Sequence, residues 1–224
     1  MNAQWEEKLR YILKEVTDRD AAKLWGHPEE PPPFNYRFEH TRAVVSTARY
    51  LQHHEGGDYR IIMAAAWLHD IDKLFVRPDD APPNRPHHGI RGADRATEIL
   101  EGLGFSSDEI SRVHDAIVTH VGIFHDDIPR TLEGDILWDA DKLTKVGAVS
   151  IIHSFGIAPA FGPVDTEYVI DRGLKWAGIV HDTVSAFKTE TARRLGRERL
   201  AFLDEFYNRL STEFNMERDD AAGN

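Results

Sequence analysis

One stretch decides the fold of this chain: Ile61-Ile62-Met63-Ala64-Ala65-Ala66-Trp67-Leu68-His69-Asp70-Ile71-Asp72-Lys73. Residues 61–68 are entirely apolar, which is typical of a helix at the centre of a bundle. The run then ends in an imidazole and a carboxylate, His69 and Asp70. A buried carboxylate without a partner is very costly, so this end of the helix requires a cation from the protein or a metal ion. We favour a metal ion.

The composition limits which ligands such an ion could have. The chain of 224 residues is 41% hydrophobic and 29% charged, which is ordinary for a soluble globular protein. It has no cysteine, which excludes disulfides, thiolate ligands and a cysteine nucleophile. The metal ligands must therefore come from histidine, aspartate and glutamate, and the chain has 12 histidines.

Charge and hydropathy restrict the partners. A formal net charge of -11 argues against a nucleic-acid polymer as partner, because such binding needs basic patches that neutralise phosphates. The longest apolar run, residues 61–68, is too short to span a bilayer, so we expect no membrane association. The first residues lack the pattern of a signal peptide, and we expect a cytoplasmic protein.

Apolar residues recur at helical spacing along most of the chain, and no alternating strand pattern exceeds a few residues. We therefore predict an all-α fold in which residues 1–224 form a single domain. Its core spans residues of about 35–160, and additional helices lie at the N- and C-terminal ends. The predicted helices cover residues 4–17, 36–54, 59–71, 90–100, 107–121, 136–146, 166–188 and 192–214.

Three other segments carry expectations of their own. Residues 77–86 contain several prolines and two arginines, which predicts a loop that covers the site. Residues 217–224 are expected to be disordered. The apolar stripe of the last helix should pack in the core; if it were exposed, it would predict a homodimer. That stripe consists of Leu200, Leu203, Phe206, Leu210 and Phe214.

The remaining candidate ligands lie on other predicted helices. His40 falls on the buried stripe of its helix, one turn from Val44. A third helix carries Asp139 and Asp141, and periodicity does not choose between these two carboxylates. His40 and one of these two aspartates would form, with His69 and Asp70, a His/His/Asp/Asp set. Such a set suits Mn, Fe, Mg, Co, Ni or Zn as a divalent ion.

The sequence around these residues resembles the HD-domain superfamily of metal-dependent phosphohydrolases. Four phrases occur in the family's order, at residues 36–40 (Tyr-Arg-Phe-Glu-His), 66–73 (Ala-Trp-Leu-His-Asp-Ile-Asp-Lys), 87–93 (His-His-Gly-Ile-Arg-Gly-Ala) and 139–143 (Asp-Ala-Asp-Lys-Leu). The chain departs from the common pattern at Asp72, where Gly is usual, and at Thr144, where many relatives have Asp.

The resemblance implies roles for individual residues. It implies an all-α bundle, one metal ion and, among the alternatives, a second ion. The first ion's ligands would be His40, His69, Asp70 and Asp141. His88 and His120 would either hold the second ion or contact the substrate phosphate.

The resemblance also suggests a mechanism in which Asp70 orients a water molecule and Lys73, with an arginine, neutralises the phosphate. His114 would be structural or would serve in acid–base catalysis at the edge of the site. Arg77, Arg85 and Arg91 are the arginines we considered, and each is as consistent with an ordinary surface charge.

Three functional hypotheses follow. The first is a metal-dependent phosphohydrolase that cleaves a small phosphate ester, in particular a nucleotide or related compound, with a metal-activated water. The second is a di-iron oxygenase, since some relatives with a histidine-rich site carry out that chemistry. The third is a nucleotide-binding regulatory module without turnover.

Overall fold

A computed structural model describes residues 4–26, 30–73, 88–121 and 130–215. Within these ranges the chain forms helices and no strand, so the all-α prediction is confirmed. The helices are α1 Gln4–Trp25, α2 Tyr36–Glu55, α3 Tyr59–Leu68, α4 His88–Glu101, α5 Ser107–Thr119, α6 Leu132–Leu143, α7 Ala148–Ile157, α8 Thr166–Ser185 and α9 Glu190–Phe214. A short 3₁₀ turn, Ala158–Ala160, follows α7.

The central helix is α3, as its uninterrupted apolar sequence predicts. Residues 61–68 are all buried, because α1, α2, α4, α5 and α6 pack around the helix. Asp58 caps its N-terminus by accepting hydrogen bonds from the backbone N–H groups of Arg60 and Ile61. A helix buried on every side can have no polar stripe of its own, which explains the composition.

The end of α3 differs from the prediction. We expected the helix to continue to residue 71, but it ends at Leu68. The backbone then tightens into shorter turns, in which Ile71 N donates to Leu68 O at 3.0 Å and Lys73 N donates to Asp70 O at 3.1 Å. His69 and Asp70 therefore lie at a helix terminus, where the chain turns away from the bundle axis.

Other helix boundaries also differ from the predicted ones. The first helix extends well past residue 17, to Trp25, because Ala22 and Leu24 continue its buried face. Thr131 caps α6, which therefore begins before the predicted residue 136. At the start of α5, Ser106 and Glu109 form a reciprocal capping box.

The two C-terminal helices pack on each other and against the bundle, with α9 also contacting α2, α6 and α7. Of the predicted inner stripe of α9, Leu203 is fully buried, whereas Phe214 is 47% exposed. Leu200, Phe206 and Leu210 are partly buried against the core. The homodimer and the single-domain organisation stay predictions.

Some expectations lie outside the described residues. They concern the loop of residues 77–86 with Arg77 and Arg85, the residue His87, and the tail of residues 217–224. Within the described residues, no single helix is both long and apolar enough to cross a membrane. One pair, Leu132–Leu143 with Ala148–Ala160, meets the test together by length and composition, but it is bent by 64°.

Candidate metal centre

Six of the predicted residues converge at one place in the bundle. His40 lies on α2 and Asp141 on α6, while His69 and Asp70 follow α3 directly. His120 follows α5, and His88 begins α4. Five of the six are buried, and the side chain of His88 is 25% exposed. The cluster therefore has one side that is accessible from solvent.

The first group consists of His40, His69 and Asp141. Each offers one ligand atom, and these atoms all lie within 4.8 Å of one another. His40 Nε2 is 3.0 Å from Asp141 Oδ1. Asp70 Oδ2 lies nearby, at 3.8 Å from His40 Nε2 and 3.5 Å from His69 Nε2.

The second group consists of Asp70, His88 and His120, with ligand atoms at the same mutual spacing. Here the other oxygen of Asp70 is involved: Oδ1 lies 3.6 Å from His88 Nε2 and 3.5 Å from His120 Nε2. The two carboxylate oxygens of Asp70 therefore face different groups. This arrangement could hold two cations that share one carboxylate.

The hydrogen bonds of the histidine rings fix their tautomers. His69 Nδ1 donates to Ala66 O at 2.8 Å, and His120 Nδ1 donates to Ile117 O. His40 Nδ1 lies 3.2 Å from Thr144 Oγ1, whose own hydroxyl donates to Asp141 O at 2.8 Å. That hydroxyl must accept from His40. All three rings therefore carry their proton on Nδ1, which leaves the Nε2 lone pair for a metal.

Among the described residues, several buried atoms that face the centre have no hydrogen-bond partner. They are His40 Nε2, His69 Nε2, Asp70 Oδ1 and Asp141 Oδ1. Buried polar groups are normally satisfied, and a metal ion is the partner that carboxylate oxygens and imidazole nitrogens share. The residues therefore fit a divalent cation.

The electrostatics put His40, His69 and the two carboxylates in their metal-binding forms. Burial lowers the pKa of His69 to about 3 and also lowers the pKa of His40, so both rings are neutral at neutral pH. Burial acts to raise the pKa of Asp70, but Lys73 and the neighbouring histidines hold it well below its usual range. Neutral imidazoles and ionised carboxylates are the forms that bind metal.

Three lysines pair with two carboxylates of the centre, Asp70 and Asp141. Lys73 Nζ is 2.8 Å from Asp70 Oδ2, and both Lys142 Nζ and Lys145 Nζ are 2.7 Å from Asp141 Oδ2. Burial lowers the pKa of Lys145 to about 8. Sequence reasoning missed Lys142 and Lys145, although Lys145 follows Asp141 by one helical turn, a spacing that brings side chains together.

The structure separates the two aspartates of α6. Asp141 faces the histidines, as the resemblance implied. Asp139 instead accepts hydrogen bonds from Lys188 N at 2.8 Å, Thr189 N at 2.7 Å and Thr189 Oγ1 at 2.8 Å. It thus binds the backbone at the start of α9 and joins that helix to α6. Burial raises its pKa to about 6.

His114 lies apart from both groups. Its Nε2 is 3.6 Å from Asp94 Oδ1, and its Nδ1 is 3.5 Å from Asp115 Oδ1. The side chain is 35% exposed. Neither group of candidate ligands within the described residues includes it. Its acid–base role stays a prediction.

Three contacts that the sequence did not reveal position the turn after α3. The buried Arg37 donates to Lys73 O and also pairs with Asp20 Oδ2 at 2.6 Å. Arg91, a candidate phosphate ligand, holds Asp72 at 2.5 Å. At Gly92 an added Cβ would lie 3.1 Å from His69 O, so the absence of a side chain lets α4 approach this turn.

Comparisons with known proteins show what the chain is similar to. A family model described as the HD domain matches residues 37–145. The uncharacterized protein YpgQ of Bacillus subtilis is 25% identical over 221 residues, covering 94% of this chain and 93% of YpgQ. A crystal structure described as a predicted HD superfamily hydrolase from an uncultured Thermotogales bacterium is 26% identical, with a TM-score of 0.61. That match covers 93% of this chain and 92% of the other.

A crystal structure of Bacillus subtilis YpgQ in complex with ADP shares the fold. It is 21% identical, with a TM-score of 0.61, and the match covers 93% of this chain and 97% of that chain.

Proposed function

We propose, from the premise that this chain belongs to the HD-domain superfamily, that it is a metal-dependent phosphohydrolase acting on a small phosphate ester of the nucleotide class. One observation carries the proposal: within the described part of the chain, four buried ligand atoms converge without hydrogen-bond partners, each on a residue in its metal-binding protonation state. Such a set has little structural use without a cation, because each unsatisfied group costs free energy.

The two groups divide the ligands of the proposed ions. His40, His69, Asp70 and Asp141 would hold the first ion, and His88 and His120 would hold a second one beside Asp70. When bound, such an ion lowers the pKa of a water molecule and neutralises charge on phosphoryl oxygens. The shared carboxylate of Asp70 would set the spacing of the two positions.

The chain's own cations account for substrate binding. Lys73, Lys142 and Lys145 lie at the carboxylates of the centre and would attract the phosphate group. His88 is the most accessible member of the cluster, so the solvent-facing side of the site lies at the start of α4. His114 would assist proton transfer from the edge of the site.

The nucleotide class draws on a relative. YpgQ of Bacillus subtilis was crystallised in complex with ADP, and its fold matches this chain over nearly its full length. A ligand of that chemistry combines a phosphate for the cationic side of the centre with an organic group that needs a separate contact surface.

Hydrolysis is tested by screening phosphate monoesters, nucleotides and cyclic nucleotides for phosphate release, each with Mn, Mg, Co or Ni. We expect metal-dependent turnover, and in Asp70→Asn a loss of about 100-fold or more, because one ligand is neutralised and the two positions lose their shared group. Asp182→Asn is the matched control, because Asp182 is exposed on α8 and belongs to neither group. It should retain turnover within a few-fold of wild type.

Three outcomes would contradict the proposal. One is full metal-stimulated hydrolysis by Asp70→Asn. Another is turnover that requires iron and dioxygen and consumes oxygen, which would favour the di-iron oxygenase. The third is nucleotide binding without turnover under every metal, which would favour the regulatory module.

A further inference from the structure

A cavity of about 540 Å³ lies beside the metal centre, between α7 and α8. None of the six candidate ligands lines it. Its volume falls within the range of roughly 300–1,000 Å³ that is usual for small-molecule sites.

Two of its lining residues also touch the metal centre. Tyr36 stacks on the His40 ring, with centroids 5.7 Å apart and planes 1° from parallel. Trp176 Nε1 donates to Lys145 O at 2.9 Å, and the ammonium group of Lys145 contacts Asp141. Tyr36 and Trp176 thus connect the wall of the cavity to residues of the centre.

The lining is aromatic with a cation at its edge. Tyr36, Tyr168, Trp176 and Tyr207 supply ring surfaces, and Arg172 lies among them. Arg172 Nη1 lies 3.2 Å from the Tyr168 hydroxyl. Among the described residues no carboxylate forms an ion pair with Arg172, whereas Lys175 and Asp171, which also line the cavity, pair with each other at 2.7 Å. In a chain of net charge -11, a cation without an acidic partner beside aromatic rings is suited to an anionic aromatic ligand.

We propose that this cavity binds the nucleobase of a nucleoside phosphate, with Arg172 contacting an anionic group of the same ligand. The inference rests on the proposed function, and it assigns the organic half of the substrate to the space between α7 and α8. Tyr36 then lies between the base and the metal ligands. The aromatic lining would provide stacking, which is tolerant of base identity because every base has a π-face.

A second copy of the chain is the competing occupant of this surface. Ile152 on α7 is 65% exposed and Ile179 on α8 is 61% exposed. The concave shape, Arg172 and the contact between Tyr36 and His40 favour the small ligand.

The experiment measures binding without turnover. Chelator-treated protein is titrated calorimetrically with AMP and, separately, with ribose 5-phosphate, which lacks the base. We expect AMP to bind at least about ten-fold more tightly, as stacking of one base would give. Ser154→Trp, which places a large side chain into the cavity from α7, should reduce that preference to about two-fold or less. Arg172→Gln should weaken AMP binding about five-fold or more.

Arg209→Gln is the matched control, since it makes the same charge change on the exposed face of α9 and should bind AMP like wild type. Thermal melts establish that each variant is folded. Equal affinity for AMP and ribose 5-phosphate would overturn the proposal. So would a Ser154→Trp variant that keeps the preference, or one that only converts a dimer into a monomer. Because no metal or hydrolysis is involved, these outcomes are independent of the phosphohydrolase test.

Discussion

At the residue scale, Thr144 shows how a departure from the family pattern is accommodated. The resemblance described from the sequence implies Asp at this position, and this chain has Thr. In the structure the Thr144 hydroxyl accepts from His40 Nδ1 and donates to the Asp141 carbonyl. It therefore holds the His40 ring in the tautomer that leaves Nε2 free for a metal.

We predict that Thr144→Val weakens metal binding by about ten-fold or more, because the His40 ring loses the acceptor that fixes its tautomer. Thr144→Ser keeps the hydroxyl and should bind metal like wild type. Both are measured by titrating Mn²⁺ into chelator-stripped protein. Equal affinities for the valine and serine variants would show that Thr144 does not act through His40.

The sequence predicted the residues of the centre more completely than their neighbours. The sequence motifs of the family resemblance contain the residue types of metal ligands, and they include His40, His69, Asp70 and Asp141. Periodicity alone could not separate Asp139 from Asp141, because the first caps a helix that lies far along the chain. Lys142 and Lys145 were missed because lysine on a helix usually lies in solvent, and only the packed structure directs these two to a buried carboxylate.

At the scale of elements, the contact between α8 and α9 depends on a glycine. A Cβ added to Gly173 would lie 1.9 Å from the Tyr207 ring, which is buried between the two helices. At Gly178, on the same helix, nothing lies within 4 Å. Alanine substitution at Gly173 would cause a steric clash, whereas at Gly178 it would change only the intrinsic helix propensity. Comparing the two therefore isolates the cost of the clash.

We predict that Gly173→Ala destabilises the protein by about 1–3 kcal/mol, because Tyr207 must leave its place. Gly178→Ala should be neutral or should stabilise by up to about 1 kcal/mol, since alanine favours the helix. Denaturant unfolding of both variants beside wild type measures the difference. A Gly173→Ala variant as stable as Gly178→Ala would mean that α8 and α9 do not pack as described.

The helices themselves were largely predictable and their ends less so. Apolar periodicity located every described helix except α7, Ala148–Ile157, because burial determines the periodicity. The end of a helix depends on single hydrogen bonds. After Leu68, at the end of α3, the backbone hydrogen bonds span three residues instead of four. That small difference matters for function, since it sets the positions of His69 and Asp70.

At the scale of the whole molecule, positive side chains gather near the candidate site although the chain as a whole is negatively charged. The chain carries a net charge of -11, yet Lys73, Lys142 and Lys145 gather at the metal centre and Arg172 lies at the adjacent cavity. The sequence predicted the bundle and the order of its candidate ligands. It could not predict the cavity between α7 and α8, because that space forms only where these helices pack near Tyr36 and Tyr207.

The central claim is that the histidine–aspartate cluster is a metal centre with two positions that share Asp70. Calorimetric titration of Mn²⁺ into chelator-stripped protein tests it most directly, with His88→Ala as the comparison because this residue is the most exposed ligand. We predict two ions per chain for wild type and one for His88→Ala. Absence of saturable binding would contradict the metal centre itself, and equal stoichiometry in the two proteins would contradict the second position.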